Sequence, residues 1–114
     1  HILEARNLPN LDSVGLSDPY VTVDVYRNGR SMCRIAKTRI IDDNLNPQWE
    51  EVFRLPICYR VDELRFKVKD KDVMSAEYIG FMSISGKVLA TGDNIEGWFD
   101  LKASRKAMFK TLDF

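Results

Sequence analysis

The sequence predicts an all-β fold, an eight-stranded antiparallel β-sandwich, and three observations carry that expectation. Short segments rich in Val, Ile, Tyr, Phe and Trp recur along the 114 residues, several with apolar residues at every second position. Clusters of Gly, Pro, Asn and Asp punctuate them at short intervals. No stretch carries the long 3.6-residue apolar period of an amphipathic helix. With 45% hydrophobic and 30% charged residues, the chain has the composition of a globular protein and the length of one core. A single domain over residues 1–114 is therefore expected.

The first strand is read at His1 to Ala5, ended by the turn formers Asn7, Pro9 and Asn10. Tyr20 to Tyr26 is strongly β-prone, with Val21, Val23 and Val25 on one face and Tyr20, Thr22, Asp24 and Tyr26 on the other. Asn28-Gly29 is a hairpin signal because both residues tolerate positive φ. Cys33 to Arg39 is the returning strand, with poorer alternation. After the turn-rich stretch Asp42 to Pro47, a strand is expected over Trp49 to Ile57, although its apolar phase is mixed. The clearest period-two segment is Leu64 to Lys69, which places Leu64, Phe66 and Val68 inward and Arg65, Lys67 and Lys69 outward. It is read as delivering Asp70-Lys71-Asp72 into a loop that runs to Glu77. Tyr78 to Ile84 is the next strand, followed by a short helical turn at Lys87 to Ala90, a brief strand at Trp98 to Leu101 and a last one at Met108 to Phe114.

Charge and residue chemistry narrow the function. Lys plus Arg and Asp plus Glu number 17 each, so nothing in the overall charge argues for nucleic-acid binding. The two cysteines, Cys33 and Cys58, are too few for a disulfide framework and lack metal-ligand spacing, so they are expected to be buried or incidental thiols, with a disulfide between them the lesser alternative. No apolar run approaches the roughly 20 residues of a membrane span. The lone His1 is terminal and the cysteines have no evident His or Asp partner, so the domain is not expected to be an enzyme. The chain opens inside an apolar segment, as an excised module would.

Local chemistry is concentrated in two acidic loops. Asp12 and Asp18 bracket Val14, Gly15 and Leu16, and Asp70 and Asp72 recur much later. Neither loop has ligands enough for a hard cation, but together they would, since calcium takes about six to eight oxygens.

Four ordered segments resemble the C2 domain family: ARNLPNLD at 5–12, SDPYV at 17–21, NLNPQWEEVF at 44–53 and VKDKDVMSAEYIG at 68–80. The resemblance spans essentially the whole chain. It implies a sandwich whose first and third loops meet at one end, in the circular permutation called type II. KDKDVMSAEYIG and DNIEGW are further similar to the C2 module of plant-type phospholipase D, but no HxKxxxxD phosphodiesterase signature occurs, so any catalysis would belong to another part of a parent phospholipase. The family pattern implies that Asp12, Asp18, Asp70, Asp72 and Glu77 bind one or two calcium ions. Glu77 stands where the family usually has aspartate, which implies weaker affinity or fewer ions.

The same resemblance implies calcium-dependent binding to anionic phospholipid membranes, in the cytoplasm and peripheral to the membrane when calcium rises. Val14, Leu16, Val73 and Met74 are the candidates for insertion, each worth on the order of 1 to 2 kcal/mol when buried. Arg34, Lys37, Arg39, Lys67 and Lys69 are the candidates for an anionic-lipid or phosphoinositide patch. The competing expectation is a calcium-independent protein-interaction or scaffold module on the same sandwich. As an isolated domain the chain is expected to be monomeric.

Overall fold

The structure, a computed structural model, describes residues 1–8, 17–54, 61–71, 76–92, 94–102 and 108–111, with the side chains of 76–77 and 108–111 outside the description. Among the described residues the chain is all-β and antiparallel apart from one short helix. In chain order the elements are β1 (Ile2–Arg6), β2 (Pro19–Arg27), β3 (Arg30–Lys37), β4 (Gln48–Glu51), β5 (Glu63–Lys71), β6 (Ala76–Ser85), α1 (Gly86–Ala90), β7 (Gly97–Asp100) and β8 (Met108–Thr111). One sheet has the order β4-β1-β8-β7 and the other β3-β2-β5-β6. Every ladder is antiparallel. No helix among the described residues is long and apolar enough to cross a membrane.

The buried core draws on both sheets. Ile2 and Ala5 of β1 and Trp49 of β4 form one cluster with Val21 and Val23 of β2, Leu64, Phe66 and Val68 of β5, and Ile79, Met82 and Ile84 of β6. The period-two pattern of β5 is the reason that strand is easy to read: its inward residues are buried and the alternate ones half-buried.

Bulges explain the strands that are harder to read. Val23 pairs with Ala36 and Asp24 with Arg34, so Ile35 is an extra residue in β3, and Met32 is a second one, between the partners of Val25 and Tyr26. Each insertion resets the alternation, which is why β3 shows no clean period. In β4 the three-residue step from Gln48 to Glu51 matches a two-residue step in β1, and Glu50 takes φ 49°. That reverses the phase after Trp49; the strand ends at Glu51 with 52–54 outside it and Val52 exposed, while the rest of the expected strand, 55–57, lies outside the described residues.

β2 also departs from expectation. Its outward side chains Tyr20, Thr22, Asp24 and Tyr26 are as buried as its inward ones, because the long cationic side chains of β3 and β5 lie over them. Cys33, expected to be a buried or incidental thiol, is free and exposed rather than buried; Cys58 lies outside the described residues.

Ser85 caps α1 by accepting from the Val88 N–H at 3.3 Å, and the Gly86 N–H donates to the Asp62 carbonyl at 2.7 Å. A Cβ at Gly86 would overlap the Val61 carbonyl oxygen, so this close crossing of two backbones requires glycine. Gly86→Ala should cost roughly 2 kcal/mol, read as a lower urea midpoint with unchanged slope; a midpoint equal to that of the parent chain would refute the close approach.

Candidate functional site

Two acidic residues from distant parts of the sequence, Asp18 and Asp70, meet at one end of the β3-β2-β5-β6 sheet. The ladder between β2 and β5 sets Pro19 opposite Asp70, which brings Asp18 beside the end of β5. The Asp18 N–H donates to Asp70 Oδ1 at 2.7 Å, and the Lys71 N–H donates to the Asp18 carbonyl at 3.1 Å. Asp70 is fully buried, and its second oxygen, Oδ2, is buried without a hydrogen-bond partner among the described residues. An ionised carboxylate is costly to bury with one oxygen unsatisfied, and a cation is the partner that such an oxygen fits.

A third segment, which the sequence alone presents as a plain turn, supports the same corner. The Asp43 N–H donates to Asp18 Oδ1 at 2.8 Å, and the Asn44 N–H donates to the Ser17 carbonyl at 2.9 Å. Asp43 achieves this with φ 48°, a left-handed conformation that Asp adopts at modest cost. The run of Asp and Asn before Pro47 was the available signal.

The later acidic segment is less of a loop than expected. Asp70 and Lys71 belong to β5, and Glu77 lies in β6 with its backbone paired to Asp70; only four residues separate the two strands. The ladder continues to Lys71 and Ala76 because both strands extend past the alternating core segment. The Glu77 side chain is outside the described residues, as are Asp12 and Asp72 and the apolar candidates Val14, Leu16, Val73 and Met74. Among the described residues no three His, Cys, Asp or Glu side chains form a metal-sized group.

The outer face of the same sheet carries the second candidate constellation. The bulge at Ile35 puts Arg34 opposite Asp24 and Lys37 opposite Thr22, so two residues three apart share this face. Lys67 Nζ lies 3.0 Å from Asp24 Oδ2, and Arg34 Nε lies 3.5 Å from Asp24 Oδ1. Burial pulls the Lys67 ammonium down, but hydrogen bonds to Tyr26 and Asp24 and the charge of Asp24 outweigh it, leaving its pKa above the ordinary lysine value. For Lys69, burial together with the repulsion of Arg34, Lys67 and Lys37 exceeds the pull of Asp24, and its pKa is lowered.

Aromatic rings order the remaining cations. Lys37 lies over Tyr20 at 5.1 Å, Arg65 over Tyr26 at 4.0 Å and over Phe81 at 4.5 Å, and Lys102 over Phe81 at 5.4 Å. Arg65 also pairs with Glu63 at 2.6 Å. Arg39 stands apart: it is beyond the end of β3, and its backbone N–H donates to Glu51 of β4 at 2.9 Å.

Comparison with known proteins places this arrangement. A family model described as the C2 domain matches residues 1–101. Phospholipase D delta of Arabidopsis thaliana is 37% identical over 82% of this chain, and multiple C2 and transmembrane domain-containing protein 2 of Mus musculus is 40% identical over 70% of it. The matched regions are 10% and 8% of those proteins, so the chain corresponds to about a tenth of their length. Among solved structures, the calcium-bound pair of C2 domains from extended-synaptotagmin 2 superposes with a TM-score of 0.78 at 26% identity, covering 96% of this chain and 41% of that one.

Proposed function

The chain belongs to the C2 domain family, and from that premise we propose that it is a single non-catalytic C2 module that carries a parent protein to anionic membranes when calcium rises. Asp70 carries this reading: it is a fully buried carboxylate with one oxygen unpartnered, held against Asp18 at the end of the sheet. Asp18 and Asp70 would hold the first calcium ion, with Asp12, Asp72 and Glu77 completing a site for one or two. Bound there, calcium supplies the positive charge that lets a phosphate-bearing headgroup approach an otherwise acidic corner. Val14, Leu16, Val73 and Met74 would insert beside it. The two sheets are then the halves of an eight-stranded C2 sandwich. β8 fills the position between β1 and β7, which is the connectivity of the type II permutation. The parent is read as a phospholipase with its catalytic residues elsewhere, and the module as a cytoplasmic monomer that becomes peripheral to the membrane.

Within the basic face, Lys37 and Lys69 are the cations most available to an anionic lipid, a phosphoinositide above all, because Asp24 already engages Lys67 and Arg34. Arg39 would contribute from the rim. Each exposed charge near an anionic bilayer adds about 1 kcal/mol, so replacing Lys37 and Lys69 by Met should weaken binding to phosphoinositide vesicles roughly thirtyfold and leave calcium affinity unchanged. Vesicle sedimentation and calcium calorimetry on the same variant check both halves. Calcium calorimetry and vesicle binding on the parent chain test the whole reading. No heat at millimolar calcium would sink the switch, and calcium binding without vesicle attachment would favour a protein-interaction module.

A further inference from the structure

The basic face holds one residue that runs against its chemistry. Asp24 sits near the middle of β2, opposite Arg34 on β3 and Arg65 on β5, and it is 5% exposed. Lys67 Nζ and Arg34 Nε lie 3.0 and 3.5 Å from its two oxygens, and its charge also acts on Lys69. A carboxylate buried among cations interacts with them, and with any arriving anion, more strongly than one in water, because the local dielectric is lower and salt screens it less. Asp24 Oδ1 is buried and, among the described residues, accepts no hydrogen bond, the Arg34 guanidinium standing 3.5 Å from it, so part of the carboxylate's acceptor capacity is unspent. Buried ion pairs commonly add little stability over well-packed neutral side chains in place of both partners, so stability alone does not account for such a pair.

We propose that Asp24 is an internal counter-ion that weakens the attraction of the basic face for anionic phospholipid headgroups, keeping that face from attaching to a bilayer before the acidic end is engaged. Asp24 is thus a positioning residue that acts through Lys67 and Arg34 and through its own charge. The inference rests on the reading of this face as a lipid surface and adds its regulation. Without Asp24, Lys67 and Arg34 would be released to the headgroups and one repulsive charge would be lost. The effect should grow with headgroup charge, being larger for phosphatidylinositol 4,5-bisphosphate than for phosphatidylserine.

The test is vesicle sedimentation in a calcium chelator, with phosphatidylcholine vesicles carrying either of those two lipids. Asp24→Asn should raise the partition coefficient about fivefold, one charge's worth near an anionic surface, and steepen its salt dependence, whereas Asp24→Glu, which keeps the charge, should bind like the parent. Asp24→Asn made in a Lys67→Met background should raise binding by a similar factor. There no ammonium at position 67 remains to be held, so a role limited to holding Lys67 in place predicts no change. That second pair also decides the question if Asp24→Asn alone unfolds. Unchanged or weaker binding on loss of Asp24 in the Lys67→Met background overturns the counter-ion role while leaving the membrane reading intact. Absence of parent binding to either vesicle, with and without calcium, overturns both.

Discussion

Asp70→Asn is expected to abolish calcium-induced stabilisation of this domain while leaving the calcium-free protein as stable as before, or more so. Asparagine keeps the shape of the side chain and the oxygen that accepts the Asp18 N–H at 2.7 Å. It puts a neutral amide nitrogen where the second carboxylate oxygen is buried without a partner among the described residues, and a neutral polar group is less costly to bury there than a charge. The acidic corner loses its fully buried carboxylate, and a neutral amide oxygen is a far weaker partner for a divalent cation than a carboxylate. Calcium affinity should fall at least tenfold. The check is thermal unfolding with chelator and with millimolar calcium: the parent chain should melt higher in calcium, because a ligand that binds only the folded state stabilises it, and the variant should show the same midpoint in both. A variant that still gains stability from calcium would remove Asp70 from the ligand set.

Trp49→Ala should be the most destabilising single change in the described core, with a loss of about 4 kcal/mol. Trp49 is fully buried on the short strand β4 and packs in the cluster that both sheets share. Its indole N–H donates to the Pro19 carbonyl at 3.3 Å, so it ties the edge of one sheet to the start of β2. Folded domains of this size hold about 5 to 15 kcal/mol in reserve, so the variant should be marginal at 37 °C. Trp49→Phe keeps most of the ring and loses only the indole hydrogen bond; because the Ile41 N–H also donates to the Pro19 carbonyl, at 3.1 Å, that oxygen is not orphaned and the loss should be near 1 kcal/mol. Urea denaturation of both variants gives the difference, and similar losses for Phe and Ala would show that cavity formation is not the dominant cost.

How much was legible follows from which residues interact locally. β5 announces itself because Leu64, Phe66 and Val68 alternate with Arg65, Lys67 and Lys69, and each residue's environment is set by its own parity. β4 does not, because a single inserted residue at Glu50 reverses parity after Trp49, and nothing in the composition of Trp49-Glu50-Glu51 marks which residue is extra. The same holds for β3, where the placement of Arg34 and Lys37 on one face depends on a bulge against β2. The meeting of Asp18 with Asp70 was expected from the order of the motifs, but the support from Asp43 was not, since a turn-forming Asp looks the same whether or not its N–H finds a distant carboxylate.

By itself, then, the sequence determined the strand-rich class and the family pattern, because these depend on residue type and spacing along the chain. Only the tertiary structure decided that Asp70 is a strand residue with one unsatisfied oxygen rather than a solvated loop carboxylate, and that Asp24 lies buried among the cations of the basic face. Both depend on burial and on ladder register, which arise when β2 is sandwiched between β3 and β5 and its outward side chains are covered by the long cations of its neighbours. That covering is a contact between strands far apart in sequence, and no periodicity within either strand encodes it.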